Sequence, residues 1–191
     1  MTHPSDLSSQ SADLVARIRG GDSRAFEELF RREYAALCRF ADRYVRDGPA
    51  SEDLVQDLFT TLWTNRARLE VRGSLRAYLF TAVRNRALNL RKHTLVERAW
   101  ARDESAPEVR ALHRAPRRPD DLLDESERDA RLRGAIAHLP ERCRLVMQLR
   151  WREQLGHADI AAVMGISIKG VERQLARGLR ALRERFRRDR G

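Results

Sequence analysis

Apolar residues recur at the 3.6-residue period of an α-helix through most of this chain, and this pattern limits the folds open to it. The first long stripe lies between residues 23 and 46, at Phe26, Leu29, Phe30, Leu37, Ala41, Tyr44 and Val45. Two further stripes follow over residues 54–63 and 75–83. Since no segment alternates apolar and polar residues between turn dipeptides, the sequence predicts an all-α protein without a sheet.

Short polar residues and glycines mark where these helices begin and end. Asp22 or Ser23, Ser51 and Ser74 each precede an apolar stripe, and such side chains accept hydrogen bonds from the first free N–H groups of a helix. We therefore expect them to act as N-caps. The dipeptide at residues 48–49, Gly-Pro, is expected to end the first long helix.

Residues 93–123 interrupt the helical pattern. They contain three of the six prolines and carry no sustained apolar stripe, with at most a short helical turn near residues 96–100. A structureless loop of that length is rare inside one compact domain. We therefore predict a disordered N-terminal tail (1–11) and two small helical domains (12–92 and 124–188), joined by a flexible linker (93–123).

The charge of the chain indicates a polyanionic partner. There are 38 Lys+Arg against 28 Asp+Glu, a formal charge of +10. No basic amphipathic anchor accompanies this charge, so nucleic acid is favoured over a membrane surface, and we expect no direct membrane binding. The charge is unevenly spread. Residues 167–191 hold nine basic and three acidic residues, whereas residues 47–57 hold four acidic residues and no basic one.

The sequence gives little support to an enzyme. Its five histidines and two cysteines show no metal-ligand spacing, and no glycine-rich phosphate loop or nucleophile motif occurs. We therefore expect no catalytic residue, metal, cofactor or small-molecule substrate. Cys38 and Cys143 lie far apart in helical contexts, so we expect reduced thiols and a cytoplasmic protein rather than a disulfide scaffold.

Residues 155–188 have the spacing of a helix-turn-helix. A short helix over residues 158–164 meets a tight turn at Gly165, and Ser167 is placed to cap a longer helix. Small Ala161 suits a close helix crossing. We expect the longer helix to turn four apolar residues inward: Val171, Leu175, Leu179 and Leu182. Its outer face would then carry Lys169, Gly170, Glu172, Arg173, Gln174 and Arg177 toward a DNA major groove.

Three segments, in this order and spacing, resemble one protein family. They are ASEDLVQDLFTTLWTNR (50–66), GSLRAYLFTAVRNRALNLRKH (73–93) and LPERCRLVMQLRWREQLGHADIAAVMGISIKGVERQLARGLRAL (139–182). Together they resemble the extracytoplasmic-function (ECF) sigma factors, the small members of the bacterial sigma-70 family. The resemblance implies a protein that directs core RNA polymerase to promoters by recognising their −10 and −35 elements.

The resemblance also implies roles for individual residues. The first segment would bind the polymerase clamp helices through Asp53, Gln56 and Asp57. The second would recognise and melt the −10 element through Arg72, Ser74, Arg76, Tyr78, Asn85, Arg86 and Asn89. The third would contact the −35 element through Arg150, Lys169, Glu172, Arg173, Gln174 and Arg177.

Four positions depart from the family pattern. Tyr78 stands where tryptophan is frequent, Asn89 where aspartate is frequent, Gly170 where threonine is frequent, and Glu172 where a basic or small polar residue is common. The resemblance implies three further partners: the polymerase flap region, promoter DNA and an anti-sigma factor. It also implies that the protein works in the bacterial cytoplasm, at the nucleoid. The alternative that the residues leave open is a helix-turn-helix regulator with a helical sensor or interaction domain, which would bind duplex DNA without polymerase.

Overall fold

The computed structural model describes residues 4–71, 73–103 and 134–188. They belong to two compact units, one within residues 1–115 and the other within residues 116–191. No residue of these described ranges lies in a β-strand, and the predicted all-α class is confirmed.

The described residues of the first unit form four α-helices and one short 3₁₀ helix. The α-helices are α1 (Pro4–Arg19), α2 (Ser23–Val45), α3 (Gly48–Thr64) and α4 (Leu75–Asp103), and the 3₁₀ helix spans Arg66–Arg68. Helix α2 packs against both α3 and α4, while α1 packs against the rest of this bundle. Its core contains large side chains without solvent exposure, among them Leu29, Leu37, Val55, Leu79 and Phe80.

The second unit contains α5 (Glu141–Trp151), α6 (His157–Met164) and α7 (Ile168–Arg188), after a helical stretch over residues 134–137. Helix α7 packs on both α5 and α6. The side chains of Val146, Leu149, Ile160, Val163 and Val171 fill the space between the three helices and are completely buried or nearly so.

The helices of the first unit extend beyond both predicted ends of the first domain, residues 12 and 92. Helix α1 begins at Pro4, so residues 4–11 are helical where a disordered tail was expected. Buried Leu14 and Ile18 anchor this helix, and proline is favourable at a helix start because it needs no N–H partner there.

Helix α4 likewise continues to Asp103, beyond the predicted end at residue 92. Residues 93–103 contain neither Gly nor Pro, and extending an existing helix costs far less than nucleating one. The rest of the predicted linker, and most of the start of the second domain, lie outside the described residues.

In the first unit, two of the three predicted caps are present, and one is wrong. Asp22 accepts hydrogen bonds from the N–H groups of Arg24 and Ala25, and Ser74 Oγ accepts one from Ala77 N–H at 3.1 Å. Helix α3 is capped by Asp47 instead of Ser51. The Asp47 carboxylate accepts a hydrogen bond from Ala50 N–H at 3.0 Å. Residues 48–49, which were expected to end the preceding helix, instead form the first turn of α3. Ser51 is buried in that turn.

A glycine fixes the distance between α5 and α7. A Cβ atom added to Gly178 would collide with the Met147 side chain and approach Cys143 Sγ to 2.9 Å. This contact explains why α7 turns Gly178 inward while Leu179, which was predicted to face inward, is 36% exposed.

We expect Gly178→Ala to destabilise the second unit. Overpacking costs about 1–3 kcal/mol, and the better helix propensity of alanine offsets only about 1 kcal/mol of that. Gly170→Ala on the same helix is the matched control, because its added Cβ meets its nearest atom at 3.4 Å. Urea unfolding of both variants compares them, and equal stability of the two would contradict the packing argument.

The cap of α2 predicts a dependence of stability on pH. Hydrogen bonds from Ala25 N–H and from the Arg17 side chain hold the pKa of Asp22 below its ordinary value. The ionised carboxylate therefore stabilises the fold at neutral pH, and this contribution is lost as the pH falls through the lowered pKa. We expect Asp22→Ala to lower the melting temperature at pH 7 and to lower it less at pH 3. An unchanged difference at the two pH values would contradict this.

Candidate nucleic-acid interface

A cleft of about 460 Å³ opens between α3 and α4 in the first unit. Its apolar wall comes from the buried side chains of Leu58, Leu62 and Leu69. The remaining lining is mostly polar and includes Thr61, Asn65, Arg68, Glu70, Tyr78, Asn85 and Arg86. The cleft thus combines an apolar surface, one aromatic ring, two amides and charges of both signs.

The chain between α3 and α4 forms one rim of this cleft. Buried Leu69 fixes the segment after the 3₁₀ helix, and Glu70 follows it into the lining of the cleft. Gly73 has a φ of 85°, in the left-handed region that favours glycine, and it directs the backbone into α4. Ser74 then caps that helix.

This set of groups suits a single unstacked nucleobase. A base has an aromatic face that stacks on rings or guanidinium planes, and an edge that pairs with amide and carboxylate groups. Tyr78, Asn85 and Arg86 supply such groups from one face of α4. A base pair inside a duplex presents neither its face nor its pairing edge, so the arrangement favours single-stranded DNA over duplex.

The seven predicted −10 residues do not all lie at the cleft. Tyr78, Asn85 and Arg86 line it, and Asn89 is exposed one turn further along α4. Ser74 serves as the cap of α4. Arg76 forms an ion pair with Glu33 of α2. Arg72 lies outside the described residues.

The end of α3 contributes cleft residues that were not predicted. Thr61 and Asn65 lie one turn apart on the side of α3 that faces α4. Their i, i+4 spacing beside buried Leu58 and Leu62 is a usable signal, because it places them on the edge of the apolar face. The helical period of α3 alone does not tell which neighbour this edge faces.

Another face of α3 carries the three residues predicted to bind polymerase. Asp53, Gln56 and Asp57 are all exposed and form one polar ridge, as their spacing predicts. Gln56 Nε2 donates a hydrogen bond to the Tyr34 hydroxyl at 3.2 Å, which ties the ridge to α2. The acidic character of residues 47–57 is partly structural, since Asp47 is the cap of α3.

Aromatic rings support the ridge from below. Phe26 and Phe30 of α2 pack edge-on against Phe59 of α3, with ring centroids 5.9 and 4.9 Å apart. Phe30 also stacks on Tyr34, whose hydroxyl receives the Gln56 hydrogen bond. Phe59 is buried, whereas Trp63 is half-buried. The ridge therefore lies next to a cluster of packed aromatic rings.

The second unit has the helix-turn-helix geometry predicted for it. Gly165 ends α6 in the left-handed conformation, with φ 63° and ψ 41°. Ser167 Oγ accepts a hydrogen bond from Gly170 N–H at 3.1 Å and caps α7. Ala161, Val171 and Leu175 are buried where the two helices meet.

The outer face of α7 presents most of the predicted −35 residues. Lys169, Glu172, Arg173 and Arg177 are exposed, while Gln174 is half-buried. The Gln174 carbonyl accepts a hydrogen bond from Cys143 Sγ at 3.1 Å, which attaches this face to α5. Burial raises the pKa of the Cys143 thiol, so it stays protonated and able to donate.

Two other residues near this face are Arg150, which is half-buried, and Ile168, which is exposed. Arg150 of α5 is half-buried, and its Nη1 donates to the Leu155 carbonyl at 3.4 Å. Ile168, which was not predicted to contact DNA, is 48% exposed beside Lys169. Its position directly after the Ser167 cap is the signal that could have indicated an exposed apolar residue.

Neither a metal site nor a membrane span was found in the parts of the chain that the structure describes. No group of three or more His, Cys, Asp or Glu side chains there could hold a metal ion. No helix among those residues has both the length and the apolar character needed to cross a bilayer.

Comparison with known proteins matches both units to one family. Residues 29–94 match the family described as sigma-70 region 2, and residues 129–182 match that described as sigma-70, region 4. The chain is 32% identical over 171 residues to RNA polymerase sigma factor CarQ of Myxococcus xanthus, which covers 89% of this chain and 94% of CarQ. It is 28% identical over 188 residues to ECF RNA polymerase sigma factor RpoE of Cereibacter sphaeroides, with 96% and 98% covered.

Two solved structures share the fold. CnrH, in complex with the cytosolic domain of CnrY, matches with a TM-score of 0.60 at 24% identity over 94% of this chain and 98% of that chain. The sigma factor RpoE of Bartonella quintana, in complex with the anti-sigma factor NepR, matches with a TM-score of 0.56 at 24% identity. That match covers 83% of this chain and 94% of the other.

Proposed function

Because this chain belongs to the ECF sigma factors of the sigma-70 family, which direct RNA polymerase to promoters, we propose a division of that work between its two units. The first unit docks on the polymerase and captures a base of the −10 element. The second unit reads the −35 element as duplex DNA. The observation that carries this proposal is the cleft between α3 and α4, which suits an unstacked base.

Capture of a −10 base is assigned to the groups that line the cleft. Tyr78 offers a ring for stacking, while Asn85 and Arg86 offer hydrogen bonds to the base edge or its phosphate. Thr61, Asn65 and Glu70 complete the polar lining. Flipping a base out of the duplex costs a few kcal/mol, so a pocket with several contacts is required.

Polymerase docking is assigned to the ridge of Asp53, Gln56 and Asp57. These side chains are exposed on a face of α3 that does not line the cleft, so protein and DNA can bind together. An acidic ridge repels DNA phosphates and suits a basic protein surface, here the clamp helices of the polymerase.

Recognition of the −35 element is assigned to the outer face of α7. Arginine pairs well with guanine, glutamine with adenine and glutamate with cytosine in the major groove, which gives Arg173, Gln174 and Glu172 possible partners. Lys169, Arg177 and Arg150 would add base or phosphate contacts. The exposed arginines at the end of α7 supply further positive charge.

The remaining assignments follow from the family. The chain would act by recruitment without catalysis of its own, bind no cofactor and work in the bacterial cytoplasm at the nucleoid. Contact of the second unit with the polymerase flap and inhibition by an anti-sigma factor belong to the same proposal. The alternative of a regulator independent of polymerase is disfavoured, since the first unit also matches a sigma-factor region.

Reversing the charge of the docking ridge tests the first assignment. We expect Asp53→Arg with Asp57→Arg to abolish binding to core polymerase, because two attractive charges become repulsive, and to leave the helical content unchanged. A matched control is Asp13→Arg with Glu28→Arg, which changes the charge equally at exposed acids of α1 and α2. Pull-down with core polymerase and circular dichroism measure both effects. Unimpaired binding by the ridge variant would refute the assignment.

Truncation of one arginine tests the assignment of α7. We expect Arg173→Ala in the holoenzyme to reduce discrimination between a promoter and its −35-scrambled copy by about 1–3 kcal/mol. Arg185→Ala, an exposed arginine three turns further along, should weaken binding to both DNAs alike. Competition binding at fixed salt measures the two ratios. If Arg173→Ala also weakened both DNAs equally, Arg173 would contact phosphate and not a base.

A further inference from the structure

A carboxylate of α2 is buried in the first unit. Glu33 of α2 is 2% exposed. Its Oε2 accepts a hydrogen bond from Arg76 Nε at 2.8 Å, and its Oε1 accepts one from Arg32 Nε at 3.0 Å. A buried carboxylate is costly unless it is paired in this way, so the ion pair constrains where Arg76 can lie.

The ion pair reaches the first turn of α4, where the rim of the cleft ends. Arg76 is the second residue of that helix, and Tyr78, two residues further on, lines the cleft. The Arg76 guanidinium also lies over the Phe80 ring, 5.6 Å from its centroid. The side chain of Arg76 is therefore directed into the bundle, toward α2.

Helix α1 holds the same turn from another side. Ser11 Oγ accepts a hydrogen bond from Leu75 N–H at 3.2 Å, and Ser74 Oγ accepts one from Ala77 N–H at 3.1 Å. These bonds and the ion pair with Glu33 fix the backbone at Leu75, Arg76 and Ala77. The orientation of Tyr78 toward the cleft follows from that backbone.

We propose that Glu33 is a positioning residue for −10 recognition, which acts by holding Arg76 and the first turn of α4 in the geometry that captures a base. This proposal rests on the assignment of the cleft to the −10 element. Arg76 then serves recognition through the protein, although its position in the sequence resembles that of a DNA-contacting residue.

The opposite role for Arg76 makes the opposite prediction about Glu33. If Arg76 contacted DNA directly, Glu33 would compete with the DNA for its guanidinium. Removing the charge of Glu33 would then release Arg76 and strengthen DNA binding. If Glu33 positions the turn, removing its charge weakens base capture.

The experiment uses the full chain in complex with core polymerase. Two single-stranded oligonucleotides serve as probes, one with the −10 sequence from upstream of a mapped start site and one with its most discriminating base changed. The measured quantity is the ratio of the two affinities. We expect Glu33→Gln to reduce this ratio about tenfold, as for loss of a charge-assisted hydrogen bond. Binding of core polymerase and of duplex −35 DNA should stay unchanged.

Four further variants complete the test. Arg32→Gln removes the other partner of Glu33 and should keep the ratio, because the bond between Arg32 and Glu33 lies within α2. Arg76→Gln should match Glu33→Gln, and the double variant should add no further loss. Arg76→Lys keeps the positive charge, so its affinity ratio should lie between those of the wild type and Arg76→Gln. If Glu33→Gln fails to fold, Arg76→Lys takes its place.

Each other outcome contradicts the proposal. An unchanged or increased ratio in Glu33→Gln, with a loss in Arg76→Gln, would make Arg76 a DNA contact. Equal losses in Arg32→Gln and Arg76→Gln would show a general effect of charge. A wild-type holoenzyme without preference between the two oligonucleotides would refute the −10 assignment of the cleft, and this proposal with it.

Discussion

The apolar face of α3 has to be buried against α2 and α4 at the same time, and the placement of the first unit's functional surfaces depends on that packing. Leu54, Val55, Leu58, Phe59 and Leu62 are all buried in it. Once this face is fixed, the remaining positions of the helix have fixed directions. One edge, with Thr61 and Asn65, faces the cleft, and another face carries the polar ridge. A single helix thus separates the proposed protein-binding surface from the proposed DNA-binding one.

Charge is separated in the same manner. The formal charge of +10 averages an acidic segment around α3 with an arginine-rich end in α7. The acidic segment would keep promoter DNA away from the ridge of Asp53, Gln56 and Asp57. The basic end of α7 would hold the second unit on duplex DNA. The carboxylate of Glu33 differs from these exposed charges, because it is buried in the first unit and paired with Arg32 and Arg76. It acts by positioning Arg76 and the first turn of α4, and not by attracting a partner molecule.

Much of this arrangement follows from local patterns, and the rest depends on contacts between distant residues. The helical period predicts the all-α class, and Gly165 with Ser167 predicts the turn of the second unit, because both are properties of neighbouring residues. The ion pair of Arg76 could not be predicted, since its partner Glu33 lies 43 residues away. Leu179 was misplaced because the close approach of Met147 to Gly178 rotates the inner face of α7.

The division of work between the two units is tested most directly by transcription with purified core polymerase, this chain and fragmented genomic DNA, followed by sequencing of the transcript starts. The account predicts starts that need the chain and lie downstream of two shared sequence blocks. Changing the downstream block should abolish melting while the chain–polymerase complex still binds the upstream one. Starts that ignore the downstream block, or a chain that binds duplex sites alone and yields no starts, would contradict it.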